Sequence, residues 1–227
     1  MASPLSRVNV RADAWELLWS FAHRVLAVNL VLALAGLPLM LALGAVDAPW
    51  RYPVFFGLLA LPLGPAVAAA FGYFAIEDPR PPLSSLLHLV VSRGRRSLVV
   101  AIVAAGLSGI LLADLKMLVG GLPGAAVVPL LAVLLVLVLN AGLAALVLVG
   151  TDPALSTRAL LSLAVYAGVR TWPLSLLSLG VLTVALIIVS QVSLAGLATV
   201  PGCALWVVHT NTNFQLARIR HLCAPPR

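Results

Sequence analysis

Few side chains in this sequence could move a proton or hold an ion, and most lie inside or beside long apolar runs. Asp114, with Lys116 two residues on, is an acid–base neighbour pair at the end of one run. A carboxylate at that depth is expected at the headgroups, loosely paired with Lys116; the sharper possibility is a cation or proton site. Asn29 and Asn140 sit within runs, as do Ser108, Ser178, Thr183 and Thr199. Inside a membrane such groups hydrogen-bond between helices, each bond contributing about 0.6 to 2 kcal/mol. His209, Asn211 and Asn213 cluster near the end of the last run. At spacings of two and four they do not share one helical face, so a metal site is not expected there. Cys203 and Cys223 have no neighbours suited to a metal or a reactive thiol. The chain has no phosphate-cradling glycine loop, zinc-helix, nucleophile-elbow or paired-cysteine motif. The expectation is a non-enzymatic protein with no catalytic residue, no metal and no cofactor.

Prolines and glycines are more informative. Pro62, Gly64 and Pro65 fall near the middle of one run, and Thr199, Val200, Pro201 and Gly202 in the middle of the last. Proline lacks an amide proton and frees a carbonyl one turn earlier. In a bilayer that backbone must be satisfied by neighbours or water. A helix broken in this way can line a solute site. Asn29, Asn140, Thr199, Pro62, Gly64, Pro65, Pro201 and Gly202 are therefore the candidate solute or helix-break residues. The competing expectation is a packing kink, favoured by Gly64, Ala68 and Gly72, whose spacing of four lets another helix approach closely.

The elements that position these residues follow from composition. The chain is 62% hydrophobic and 9% charged, with a mean hydropathy of +1.12. A soluble domain carries roughly 25% charged residues; a bilayer removes the difficulty by solvating the outward faces. The spans are expected at 25–45, 53–75, 97–115 and 125–150, with two more sharing the uncharged run 173–208. As one helix that run would be about 54 Å long against a hydrocarbon core of about 30 Å. It should fold back near Ser190–Ser193. The predicted fold is an all-α integral membrane protein of six transmembrane helices, in three hairpins each preceded by an amphipathic helix on the cytoplasmic surface. It forms a single membrane domain over residues 1–227: a cytoplasmic N-terminal segment (1–24), the bundle (25–217) and a basic tail (218–227). A positive leader of some two dozen residues and a long apolar run argue against a cleaved signal.

Arginine placement orients the bundle. Arg7, Arg11, Arg24, Arg80, Arg93, Arg95, Arg96, Arg158, Arg170, Arg218, Arg220 and Arg227 fall on one side, and only Arg51 and Lys116 on the other. By the positive-inside rule both termini are expected in the cytoplasm, and arginine outnumbering lysine 13 to 1 reads as the codon bias of a GC-rich bacterial genome, hence a bacterial inner membrane. The net charge of +7 is expected to meet anionic headgroups on that side rather than nucleic acid. Arg93, Arg95, Arg96 and Arg170 are the candidate lipid- or partner-binding residues. The two inner loops also resemble each other. Shifted by 74 residues, 78–96 and 152–170 agree at 8 of 19 positions, where composition alone gives about two. The shared pattern is Asp-Pro, then a short surface helix, then an arginine where a span begins. Asp can cap that helix and Pro suits its first turn. A weaker third copy runs from Asp13 through Trp15, Leu18 and Trp19 to Arg24.

Trp19 and Asn29, Leu37-Pro38, the stretch Leu61-Pro62-Leu63-Gly64-Pro65-Ala66 leading into Ala68-Ala69-Ala70, the basic Arg93-Gly94-Arg95-Arg96 and Asp114-Leu115 together resemble the bacterial YesL family of small polytopic membrane proteins. The resemblance covers about residues 13 to 217. It implies a place beside carbohydrate uptake systems, alongside an ABC-type importer, and supplies no catalytic residue. The expected function is an accessory or regulatory membrane protein, associating with an importer or with its own copies. The alternative is a small solute transporter or channel in its own right.

Overall fold

The computed structural model describes residues 10–76, 82–119, 125–152, 154–191 and 193–223. Arg7, Asp78, Pro79, Arg80, Pro153 and Arg227, which figure in the sequence reading, lie outside the described residues. Among the described residues all regular structure is helical. The helices are α1 (Val10–Ala45), α2 (Pro53–Ala60), α3 (Leu63–Phe74), α4 (Pro82–Val119), α5 (Val128–Thr151), α6 (Thr157–Arg170), α7 (Trp172–Gln191) and α8 (Ser193–Cys223). Single 3-10 turns, Pro49–Arg51 and Ala125–Val127, lead into α2 and α5. Among the described residues, five stretches are long and apolar enough to cross a membrane: Leu18–Ala45, Pro53–Phe74, Leu83–Leu118, Val128–Thr151 and Trp172–Gln191. Large apolar side chains face outward all round, among them Leu41, Val54, Ile110 and Leu186. In water such a surface would aggregate; in a bilayer it is the solvated face.

Five of the packed helix pairs run in opposite directions, whereas α3 and α5 run parallel, their C-terminal ends meeting at Gly72 and Gly150. Gly36 meets Leu63 and Arg24 reaches Ile76, so α1 and α3 are antiparallel. Gly64 against Ala101 and Gly72 against Arg93 make α3 and α4 antiparallel. Gly142 beside Ala104 and Leu155 beside Arg96 do the same for α4 and α5. α1 and α8 oppose each other through Asn29–Gly202 and Phe21–Trp206, and α7 folds back on α8, whose Asn211 returns to Leu174.

α3 is the hub, packed against α1, α4, α5 and α8. Its sequence explains why. Gly64, Ala66, Ala68, Ala69, Ala70 and Gly72 are all buried, and only small residues let four helices approach one axis. Gly64, Ala68 and Gly72 face α4 and α5: a methyl on Gly72 would lie 2.6 Å from the Gly150 carbonyl, and one on Gly64 would lie 2.5 Å from the Ala101 Cβ. On the other side Ala69, Ala70 and Tyr73 join Val28, Val31, Leu205 and Val208 of α1 and α8 in one core cluster. A second cluster unites Ala68 with Ala145, Leu148, Leu160, Ala164 and Leu216.

Three local expectations are corrected. The surface helices expected before the first and third spans are not separate elements. α1 passes through Arg24 and α4 passes through Arg93–Arg96 without a break. Hydropathy reports depth, whereas helix continuity depends on backbone bonds, and neither region holds a proline to interrupt them. At 38 residues, α4 is about 57 Å long and exceeds the hydrocarbon core. Only α6 is distinct from the span after it, with Thr171 between them. Second, α6 is capped by Ser156, whose Oγ accepts from the Ala159 N–H at 3.3 Å. Asp152 instead ends α5, its N–H donating to the Leu148 carbonyl at 2.8 Å. Third, Pro201 lies inside a continuous α8. The fold-back expected near Ser190–Ser193 coincides with the boundary between α7 and α8; Val192 itself lies outside the described residues.

Candidate functional site

The prolines were the sequence's candidates for exposed backbone, and at Pro62 and Pro65 the freed carbonyls are taken up by hydrogen bonds. Between α2 and α3, Pro62 cannot donate to the Leu58 carbonyl, and Leu61 N–H does so instead at 3.2 Å. Pro65 cannot donate to Leu61, and Gly64 N–H takes that carbonyl at 3.1 Å. One tightened turn thus serves both carbonyls that proline frees. Gly64 is filled by Ala101 and faces no cavity.

Around Pro201, where α8 is unbroken, a different helix bonds to the backbone. Asn29 Oδ1 on α1 accepts from the Gly202 N–H at 2.6 Å, and both residues are buried. A methyl on Gly202 would lie 2.8 Å from that oxygen and 3.0 Å from Val25, so the glycine is what lets Asn29 reach the backbone. Beside this contact, α1, α3, α7 and α8 leave a cavity of about 220 Å³ walled by Leu32, Gly36, Leu63, Leu182 and Leu186, with Asn29 at its edge. Apart from Asn29 its lining is apolar. It suits an aliphatic group and offers little to a sugar or an ion.

The remaining candidates do not join that place. Thr199 is exposed on the outer side of α8, in a shallow groove with Cys203 and Val184. Asn140 is buried on α5 against Gly168 of α6. Asp114 and Lys116 are both exposed near the end of α4. Ser178 bonds across helices, its Oγ accepting from Asn211 Nδ2 at 2.7 Å, while Thr183 bonds within its own helix to Leu179. The interhelical bond expected of Ser108 is not made: its buried Oγ has no partner.

The polar end of α8 divides by face, as its spacing required. Asn211 Nδ2 also donates to the Leu174 carbonyl on α7 at 2.7 Å. On another face, Asn213 Nδ2 lies 3.0 Å from His209 Nε2, and His209 stacks on Phe71 of α3 at a 6.3 Å ring separation. Thr171 and Gln215, which sequence reasoning did not single out, form a buried contact at 2.7 Å between the α6–α7 joint and α8. A threonine immediately before Trp-Pro is the one sequence signal that marks that joint. Among the described residues no group of three or more His, Cys, Asp or Glu is placed to hold a metal.

The arginines form the most polar region. Arg24 Nη1 donates to the Ile76 carbonyl at 2.9 Å, just past the end of α3. Arg93 reaches in beside Gly72 and Gly150 near the C-terminal ends of α3 and α5, with its Nη1 buried and unbonded. Cations at helix C-termini are favourable, by about 0.3–1 kcal/mol each at exposed sites. Arg93, Arg95 and Arg96 together border a crevice of about 450 Å³ between α4, the end of α5 and the start of α6. Arg170 is not with them; it lies at the far end of α6, over the Tyr166 ring at 5.9 Å. Compared with family models, curated proteins and solved structures, the chain has no match to any of the three.

Proposed function

We propose that the chain is a six-pass protein of the bacterial cytoplasmic membrane. α8 is the sixth span, both termini are cytoplasmic, and three antiparallel pairs are each led by a basic inner segment. In this reading it is a non-enzymatic accessory or regulatory partner of a solute uptake system. The observation that carries it is that the carbonyls freed at Pro62 and Pro65 are taken up within the α2–α3 turn, while Pro201 lies in an unbroken α8 whose Gly202 N–H is bonded to Asn29. A transporter built on discontinuous helices keeps such backbone available to its solute; here it serves packing. The carbohydrate importer as partner rests on the resemblance of the chain's motifs to the YesL family alone.

Gentle detergent extraction of the tagged protein from native membranes, with identification of what co-purifies, tests the proposal. A stoichiometric importer or sugar-handling complex supports it. A lone protein or a homo-oligomer turns the reading toward a self-sufficient transporter. The specific observation on that side is the cavity beside Asn29 and Pro201. Its apolar walls fit a hydrophobic solute, and flux in liposomes is then the deciding assay.

A further inference from the structure

The crevice beside α4 combines two kinds of wall in a definite order. On its exposed side stand Arg95 and Arg96, with Thr157 at the first turn of α6, while Arg93 lines it from deeper between the helices. One turn further along α4, toward the middle of the bundle, the lining becomes Val99 and Val100. α5 contributes Val149 at matching depth, three residues before Asp152, and Leu160 of α6 completes the apolar side. Asp152 is the single acid in the lining, against three arginines. The start of α6 adds to the positive character. Its first turn carries no acidic residue, and Arg158 occupies a position where a helix ordinarily favours an acid. Ser156 satisfies the Ala159 N–H, and the start of a helix favours negative charge nearby.

From this arrangement we infer that the crevice is a binding site for an anionic phospholipid, its phosphate held by Arg95, Arg96 and the start of α6 and its acyl chain laid along Val99 and Val149. The inference rests on the membrane-embedded reading above and gives its inner arginines a ligand. Guanidinium is the cation that matches a phosphate's oxygens in a planar fork. Arg93 supports the site from behind: with Nη1 wedged beside Gly72, it fixes a charge that does not have to be ordered on binding. A free phosphate shares the polar half of this chemistry, but it leaves the Val99, Val100 and Val149 wall unused.

The test is native mass spectrometry of the full chain in detergent, delipidated and then titrated with phosphatidylglycerol, phosphatidylcholine or sodium phosphate. Phosphatidylglycerol should bind in preference to phosphatidylcholine. Arg95→Gln and Arg96→Gln should each weaken it about tenfold, the effect of removing one charge-assisted contact, and Arg170→Gln should not. Arg95 and Val99 are exposed, so their replacement leaves the helix packing in place. Val99→Trp, which blocks the apolar wall and keeps every charge, should also weaken the lipid. Equal binding of phosphatidylcholine overturns the proposal, as does indifference to both glutamine variants. Displacement of the lipid by an equal concentration of sodium phosphate also overturns it, by making this a free-anion site. Because the readout is taken on the isolated protein, a failure here leaves the uptake-partner reading untouched, and failure to co-purify an importer leaves the lipid site untouched.

Discussion

Asn29 and Gly202 stand 173 residues apart in sequence and 2.6 Å apart in space, the asparagine oxygen accepting the amide proton that follows Pro201. The bond joins the first long helix to the last. Asn29→Leu should leave that buried N–H unsatisfied and cost about 1–3 kcal/mol. Gly202→Ala should be destabilising for a different reason, since its methyl meets the Asn29 oxygen at 2.8 Å. Combining Gly202→Ala with Asn29→Ala should cost less than the sum of the two, because the smaller side chain makes room for the methyl. Unfolding midpoints in mixed detergent would show it; strict additivity would mean that the two residues are not coupled.

Gly72→Ala and Gly150→Ala should each destabilise the bundle by about 1–3 kcal/mol, because each new methyl meets backbone of the facing helix. A methyl on Gly150 would lie 2.9 Å from the Gly72 nitrogen and 3.0 Å from the Phe71 Cβ. Gly94→Ala and Gly106→Ala meet nothing within 4 Å. They should be neutral or stabilising by up to about 1 kcal/mol, since alanine is the better helix former. Equal losses at all four positions would refute the hub role of α3.

A reporter fused after Arg227 should be active only in the cytoplasm, and a cysteine placed at Arg51 should be labelled only from outside. A periplasmic signal from the C-terminal fusion would overturn the six-span topology.

Cys203 is exposed on the outer side of α8, one residue from the Asn29 contact. If that face fronts lipid, a charged maleimide should not label Cys203 in intact membranes of a Cys223→Ser background, and should label it once SDS unfolds the chain. Labelling of the folded protein would bring water to the level of Pro201 and restore the case for a solute path.

Much of this was legible in the sequence, but unevenly. The stretch from Leu61 to Gly72 could be recognised as a close-packing element because its small residues recur every four positions, and four helices do meet there. Asn29 and Pro201–Gly202 were each recognisable as unusual in an apolar run. Their pairing was not, because nothing local to either reports a partner so distant. The continuity of α1 and α4 was illegible for another reason. Clusters such as Arg93–Arg96 set where a helix leaves the apolar core, but helices do not stop where the solvent changes. Asp152 was read as a cap because aspartate caps well; Ser156 does the same work four residues later, and local spacing does not choose between them.

The position of α3 sets the order of assembly. Spans enter the membrane in chain order, yet the hub packs against α8, which is made well after it. Until α8 emerges from the ribosome, the faces of α1 and α3 that it covers, Asn29 and Phe71 among them, must front lipid or be shielded by the insertion machinery. The chain therefore cannot reach its native packing span by span. Until α8 follows, that side of α1 and α3 stays open, so the packing around the hub is completed by contacts distant in the chain.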